Sequence, residues 1–204
     1  MDGYSYIEFI VPGIVMMAVI TSSYANVVSS FFSAKFQRHI EEILVSPTPN
    51  YILLLGYMAG GVGRGLLVGI AVTAISLLFT QLRLHNIAVT ASVIVLTAVL
   101  FSLGGFINAV LARKFDDISI VPTFVLTPLT YLGGVFYSID LLPEFWRTLS
   151  LANPVLYMVN AFRYGILGTS DIGIGAAYAI ILFFIALLST ICLVMLHKGT
   201  GLRS

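Results

Sequence analysis

The residues of this chain that could do chemistry are two adjacent carboxylates, Glu41 and Glu42, a glycine-rich run around Arg64, and a single cysteine, Cys192. The glycine run lacks the Gly-x-x-x-x-Gly-Lys-Ser/Thr pattern of a phosphate-binding loop, and no strand pattern precedes it. The sequence also contains no His-Glu-x-x-His and no Gly-x-Ser-x-Gly. One cysteine inside an apolar segment is typical of packing. We therefore expect no catalytic residue, no metal site and no ATP hydrolysis by this chain.

Five long apolar segments dominate the sequence. Only 9% of the residues are charged and 59% are hydrophobic, whereas soluble domains carry about 25% charged residues. A helix needs about 20 apolar residues to cross a hydrocarbon core of about 30 Å. The segments are too long for barrel strands and do not alternate apolar with polar residues. We therefore predict an all-α integral membrane protein, one domain over residues 1–204, with spans at 6–32, 51–79, 87–112, 118–137 and 172–197.

Basic residues are concentrated at one end of the predicted bundle. Those that follow the first, third and fifth segments are Lys35, Arg38, Arg113, Lys114, Lys198 and Arg203. The other end carries Arg83, Arg147 and Arg163 over longer loops. Because positive residues stay on the cytoplasmic side, we predict an outer N-terminus and a cytoplasmic C-terminus. No basic signal-peptide start precedes the first segment, so either this segment inserts by itself or, as we favour, a preceding span is missing.

A polar loop after the first segment contains an amphipathic pattern. Its apolar residues recur at the spacing of one helical face: Phe36, Ile40, Ile43 and Leu44. Its polar residues take the opposite face: Lys35, Arg38, His39, Glu41 and Glu42. With Ser33 as N-cap and Pro47 as the stop, the pattern predicts a surface helix over residues 36–45. Its two carboxylates favour a basic protein partner over anionic lipid headgroups, although an inert interfacial helix remains the alternative.

Two shorter helical patterns lie between the fourth and fifth predicted spans, on the outer side. Pro154 opens the second pattern, an apolar run over residues 155–167 that is too short to cross a bilayer. The patterns predict a pair of helices that lie in the outer leaflet or dip into it, and a simple membrane-surface anchor is equally compatible with them. Arg163 is expected near the outer interface, where it can snorkel or attract an anionic headgroup.

Several residues inside the predicted spans carry a structural or functional signal. Arg64 stands about two and a half turns inside the second segment, where a charge is costly and indicates function. The alternative is an arginine that snorkels to the interface or pairs within the bundle. Pro122 and Pro128 remove backbone donors and kink the fourth segment, where nearby threonines can satisfy the freed groups. Glycines four residues apart predict close helix packing: Gly61, Gly65 and Gly69.

Three runs of sequence resemble one family of membrane proteins. The first is Arg38-His-Ile-Glu-Glu-Ile-Leu-Val-Ser-Pro-Thr-Pro49, and the second is Leu132-Gly-Gly-Val-Phe-Tyr-Ser-Ile-Asp-Leu-Leu-Pro143. The third begins at Leu151 and contains Asn153-Pro154 and the ending Arg163-Tyr164-Gly165. Together they resemble the permease subunits of ABC-2 type exporters, over essentially the whole chain.

The resemblance implies a homodimer of six-helix permeases in the bacterial inner membrane, each on a cytoplasmic ATPase that binds the ATP. No cofactor is expected on this chain, and membrane lipid but no nucleic acid is expected as a further partner. The loop at residues 36–45 matches the family's coupling helix, which enters a groove on the ATPase. The coupling residues would be Phe36, Arg38, Ile40, Glu41, Glu42, Ile43 and Leu44. The candidates for the substrate path are Arg64, Pro122, Pro128 and Arg163.

The family also has an N-terminal cytoplasmic helix and a first span that have no counterpart here, which agrees with the expectation of a missing span. The predicted function is ATP-driven export of an amphipathic or lipid-linked substrate, and the alternative is a secondary transporter or channel that uses no ATP. Ion-driven transporters usually need carboxylates within their spans. The interiors of the second to fifth segments contain no Asp or Glu, and Glu8 lies at the outer edge of the first. The ATP-driven function is therefore favoured, and its substrate class rests on family analogy alone.

Overall fold

The computed structural model describes residues 5–80, 84–139 and 142–201, with the backbone alone for residues 43–45. The regular elements of these residues are helices, and a π turn at Pro122–Leu126 separates the fifth from the sixth. In chain order the helices are α1 (Tyr6–Phe36), α2 (His39–Val45), α3 (Asn50–Ser76), α4 (Ile87–Leu111), α5 (Asp117–Val121), α6 (Thr127–Tyr131), α7 (Glu144–Leu151), α8 (Pro154–Leu167) and α9 (Ile174–Lys198). Among the described residues, α1, α3, α4 and α9 are long and apolar enough to cross a membrane. The predicted all-α membrane architecture is confirmed.

Helix α1 forms the centre of the bundle and packs along α3, α4 and α8. A capping box fixes its start, because the Glu8 N–H donates to the Ser5 side chain at 3.4 Å and the Ser5 N–H donates to the Glu8 carboxylate at 2.9 Å. The helix continues to Phe36, four residues beyond the predicted end of the first span. It therefore runs from the end of the bundle opposite α2 to the turn that leads directly into α2.

Helix α3 approaches α1 and α4 through its glycines. Gly61, Gly65 and Gly69 are buried on a helix whose other faces are largely exposed. A β-carbon at Gly69 would lie 2.8 Å from the Val19 side chain and 3.0 Å from that of Ile94. Only glycine allows helix backbones to approach this closely. The predicted small-residue packing face of the second span is confirmed.

Two apolar clusters fill the bundle. One lies at the α2 end and includes Phe31, Phe106 and Cys192, and the other lies toward α8 and includes Met16 and Phe162. Cys192 is fully buried and its thiol donates to the Leu103 carbonyl at 3.7 Å. The prediction that this cysteine is a packing residue is therefore confirmed.

The predicted fourth span is helical over residues 117–131, as α5, the π turn and α6 in succession. At 1.5 Å per residue this stretch is ~22 Å long, shorter than the predicted segment, and a turn with Gly134 at φ +69° follows it. As a fifth membrane crossing it remains a prediction.

Side chains compensate for the prolines in this stretch. Pro122 lacks the N–H that would bind the Ile118 carbonyl in an α-helix, and that carbonyl accepts from the Asn108 side-chain amide at 3.4 Å. The Thr127 hydroxyl donates to the Pro122 carbonyl at 3.0 Å, alongside the π-type backbone bond. The carbonyl that Pro122 frees is therefore satisfied by an asparagine and not by a neighbouring threonine as expected, because the Thr127 hydroxyl binds a carbonyl that already accepts a backbone N–H.

Candidate functional site

The junction between α1 and α2 differs from the sequence prediction. A single helix over residues 36–45 with Ser33 as N-cap is wrong, because Ser33 and Phe36 belong to α1 and a turn at Gln37 and Arg38 precedes α2. Arg38 adopts a left-handed conformation with φ +62°. Its N–H donates to the Lys35 carbonyl, and the Gln37 N–H donates to the Ser33 carbonyl, each at 3.0 Å. These bonds satisfy the last carbonyls of α1 and redirect the chain into α2.

Helix α2 presents its acids outward and anchors itself through one apolar side chain. Glu41 and Glu42 are exposed, whereas Ile40 is only 1% exposed and belongs to the cluster that contains Phe31 and Phe106. Ile43 and Leu44, the other predicted apolar contacts of this helix, have side chains outside the described residues. The helix is thus attached to the spanning bundle while its carboxylates remain accessible.

A cationic groove lies beside α2, and we define it by Phe32, Lys35, Phe36, Arg38, Glu41, Leu111 and Arg113. Its volume is about 660 Å³, within the usual range for ligand pockets. It is bounded by the ends of α1 and α4, the start of α2, and residues 200–201 after α9. The Lys35 ammonium donates to the carbonyls of Val110 at 2.6 Å and Ala112 at 2.8 Å, so it ties α1 to the end of α4.

Aromatic rings and one carboxylate hold the α4–α5 turn against this groove. The Phe115 ring lies 5.0 Å from the rings of both Phe32 and Phe36 in edge-on geometry. The backbone N–H groups of Arg113 and Lys114 donate to the Asp117 carboxylate at 2.8 and 3.0 Å. These two bonds lower the pKa of Asp117. The turn that carries Arg113 is therefore fixed relative to α1.

Arg64 lies on the outward face of α3, near the middle of that helix. It is exposed in the bundle, and the start of α3 is about 21 Å away along the axis. One turn earlier, a β-carbon at Gly60 would lie 3.3 Å from the Asn26 side-chain oxygen of α1. Asn26 belongs to a polar stripe of half-buried and exposed residues on α1: Ser22, Asn26, Ser29, Ser30 and Ser33. The structure therefore brings Arg64 next to a polar face that runs toward α2.

Arg163 is enclosed by the protein, so the expectation that it snorkels is wrong. The residue is 1% exposed, because α8 is enclosed by α1, α4 and α9. Its Nη2 donates to the Gly134 carbonyl at 2.7 Å, and its guanidinium carbon lies 3.9 Å from the centre of the Phe9 ring. Within the described residues its Nε and Nη1 have no hydrogen-bond partner. The charge is held inside the protein and ties α8 to the turn over residues 132–139.

Asp171 completes this polar cluster. Its carboxylate accepts from the Ser138 hydroxyl at 2.9 Å and from the Ile139 N–H at 3.3 Å. Its own N–H donates to the Asn160 side chain of α8 at 3.1 Å. The cluster therefore joins the 132–139 turn, α8 and the start of the last span.

The residues predicted from the sequence occupy four separate places. The α2 residues line one end of the bundle, Arg64 lies on an outer face, and Arg163 is enclosed toward the opposite end, while Pro122 and Pro128 lie in the α5–α6 stretch. The sequence reasoning missed the polar stripe, although its spacing of four, seven, eight and eleven residues from Ser22 is that of one helical face. It also missed Phe115 and Asp171, whose partners are 11 to 83 residues away in sequence, so no local signal indicates them.

Comparison with known proteins identifies the family. The model of the ABC-2 type transporter family matches residues 2–167. The inner membrane transport permease YadH of Escherichia coli strain K12 is 57% identical over 204 residues, which are 100% of this chain and 80% of that protein. Nodulation protein J of Rhizobium meliloti strain 1021 is 24% identical over 192 residues, 91% of this chain and 73% of that protein.

The extent of these matches agrees with the architecture. The family model covers α1 to α8, and the alignment with the E. coli permease covers all 204 residues of this chain. The four long apolar helices are those of a multi-pass membrane protein. The chain belongs to the ABC-2 type transporter family and is a membrane transport permease similar to one of the bacterial inner membrane.

Proposed function

We propose that this chain is the membrane-spanning subunit of an ATP-driven exporter, works as a homodimer, and moves an amphipathic or lipid-linked substrate. ATP binds to a separate cytoplasmic ATPase and not to this chain. Helix α2 lies on the cytoplasmic side, with the N-terminus outside and the C-terminus inside. Residues 118–137 form a fifth crossing, and α7 and α8 form a re-entrant pair on the outer side.

The observation that carries this proposal is the combination of exposed acids and a buried anchor on α2. Glu41 and Glu42 face solvent, where a basic surface of the ATPase can bind them. Ile40 is packed among side chains of α1 and α4. A displacement of α2 by the ATPase is therefore passed to the ends of two spanning helices. In the proposed cycle, ATP binding closes the ATPase dimer and α2 moves with it.

The polar stripe and Arg64 support a path for the polar part of the substrate. An arginine at the centre of a spanning helix costs about 3 kcal/mol when lipid surrounds it. Ser29, Ser30 and Arg64 are exposed on the surface of the single chain. We therefore place this face toward a second copy of the chain, across a water-accessible path. Arg64 holds an anionic headgroup there, and the interrupted α5–α6 stretch bends as the path opens outward.

Burial of α8 favours the re-entrant arrangement over a surface anchor. Eleven of its residues are buried, including Asn160, Arg163 and Gly165, whereas a helix resting on headgroups would expose one complete face. Helix α7, by contrast, exposes Phe145 and Trp146, which suits an interface position. In the proposal, α8 closes the outer end of the path.

Copurification with the ATPase tests the coupling assignment. The double substitution Glu41→Lys and Glu42→Lys should reduce the amount of ATPase retained by the tagged permease by at least tenfold, because like charges replace complementary ones. Retention is measured from detergent-solubilised membranes at two salt concentrations, since charge pairing weakens with salt.

Glu144→Lys is the matched control, because Glu144 is an exposed acid on α7 at the opposite end of the bundle. It should leave retention of the ATPase unchanged. Equal retention by the double variant and the wild type would remove α2 from the coupling role, and equal loss in the control would show that net charge alone is responsible.

A further inference from the structure

We infer that the cationic groove beside α2 binds the anionic phosphodiester headgroup of a membrane lipid and that this lipid braces α2 against the spanning helices. The inference goes beyond the proposed coupling role, and it takes the leaflet of the lipid from the orientation proposed above. It assigns the groove to a lipid that stays bound, separate from any substrate on the polar stripe.

The charge of the groove favours an anion. Lys35, Arg38 and Arg113 line it together with one acid, Glu41, so its described lining carries a formal excess of two positive charges. Asp117 is close to Arg113, but it is engaged by two backbone N–H groups and does not line the groove. The Lys35 ammonium uses two donors on the α4 carbonyls and has a third donor left.

The shape of the groove favours a lipid over a soluble anion. Its walls include the apolar side chains of Phe32, Phe36 and Leu111, and the last two are 62% and 57% exposed. These residues are at the ends of long apolar helices, and the proposed orientation places them at the level where headgroups and the first acyl carbons meet. Basic pockets between helices at this depth are typical sites for anionic headgroups. A soluble phosphate compound would leave the apolar walls uncovered.

The position of the groove explains why a bound lipid would matter. Arg38 belongs to the turn before α2, and Arg113 to the turn after α4. A phosphate between their guanidinium groups would join two elements that like charge otherwise pushes apart. The lipid would therefore hold α2 in the position from which it transmits movement.

Thermal unfolding of the purified permease, without the ATPase, tests the inference. Cys192 is the single cysteine of the chain and is fully buried, so a thiol-reactive fluorescent dye reports unfolding directly. The delipidated chain is titrated in detergent with phosphatidylglycerol or phosphatidylcholine of the same acyl chains. Phosphatidylglycerol should raise Tm by about 5 °C at a hundredfold excess over Kd, and phosphatidylcholine should not.

Two variants and one control assign the effect to the groove. Arg38→Gln and Arg113→Gln should each weaken the phosphatidylglycerol response at least tenfold in the lipid concentration required. Lys114→Gln removes the same charge from the neighbouring residue, which does not line the groove, and should respond like the wild type. If a variant unfolds in detergent, native mass spectrometry of the wild-type chain still counts retained lipids of each class.

Each other outcome overturns the inference. An equal response to both lipids, an unchanged response in both groove variants, or an equal loss in Lys114→Gln would remove the specific site. Stabilisation by inorganic phosphate that matches that of phosphatidylglycerol would assign the groove to a soluble anion. An increase in Tm that only the ATPase produces, and no lipid, would assign the groove to the interface with the ATPase. Because the permease is assayed alone, failure here leaves the copurification test of coupling unaffected.

Discussion

Arg163 illustrates how a single residue can fix two elements at once. Its guanidinium is enclosed between α8, the Phe9 ring and the Gly134 carbonyl, yet two of its nitrogens have no partner among the described residues. Burying a charge with unpaired donors costs free energy, and attraction by the Asp171 carboxylate offsets part of that cost. A hydrophobic side chain of similar length would avoid that cost. The residue therefore contributes more to the position of the 132–139 turn than to the stability of the bundle.

Replacing Arg163 should loosen that turn selectively. In Arg163→Met the hydrogen bond to Gly134 is lost, which is worth about 1.5 to 3 kcal/mol for a charged donor. We expect the amides of residues 132–139 to exchange with deuterium about tenfold faster, while Tm changes by only a few degrees. Hydrogen exchange followed by mass spectrometry gives both the location and the size of the effect.

Lys114→Met is the control for this substitution, because it removes a charge at the opposite end of the bundle. It should leave exchange in the 132–139 turn as in the wild type. Uniformly faster exchange along the chain in Arg163→Met would mean that the guanidinium stabilises the whole bundle instead, and the assignment to the turn would be wrong.

At the scale of elements, the α1–α4 contact is as close as that between α1 and α3. A β-carbon at Gly105 would lie 2.6 Å from the Tyr24 carbonyl oxygen and 3.3 Å from the Tyr24 Cα. These are backbone atoms of α1, so they can yield only if the two helices separate. At Gly104 the nearest atoms are those of the Tyr24 ring at 3.8 Å, an ordinary contact. Substitutions at these two adjacent glycines therefore form a matched pair that differs in the contacts of the added methyl group.

Gly105→Ala should lower the free energy of unfolding by about 2 kcal/mol through overpacking. Gly104→Ala should raise it by up to about 1 kcal/mol, because alanine favours the helix over glycine. The Tm values, read from the reaction of a thiol dye with Cys192, should therefore move in opposite directions. A decrease of similar size in both variants would show that the close approach of α4 to α1 does not determine stability.

The sequence predicted these elements to different degrees, and the differences have physical causes. Apolar length defined the four long helices, and the spacing of Gly61, Gly65 and Gly69 indicated the α3 face, because both signals are local. The turn before α2 was missed because Arg38 adopts a backbone conformation usual for glycine. The burial of Arg163 was missed because its partners, Phe9 and Gly134, are remote in sequence. Local patterns thus indicated elements well and sites poorly.

For the whole molecule, the distribution of polar residues on the outer surface indicates which face meets a second copy. Helix α9 exposes apolar side chains such as Leu182 and Phe183, as expected for contact with lipid. The α1–α3 face instead exposes Ser29, Ser30 and Arg64. The Ser29 and Ser30 hydroxyls donate to carbonyls of their own helix, whereas hydrocarbon cannot satisfy the charge of Arg64. The polar face should therefore be turned toward the partner subunit of the proposed homodimer.

Cysteine cross-linking tests this arrangement in membranes. In a Cys192→Ala background, Ser29→Cys places a thiol on the polar stripe, and Thr190→Cys places one on the exposed face of α9. Each is seven or eight residues before the end of its helix, at Phe36 and Lys198, so their depths match. A short bis-maleimide should convert most of the Ser29→Cys protein to a covalent dimer and leave Thr190→Cys monomeric. Equal cross-linking at both positions would indicate random collision, and dimers formed only through Thr190→Cys would place the interface on α9 and turn the polar stripe away from the partner.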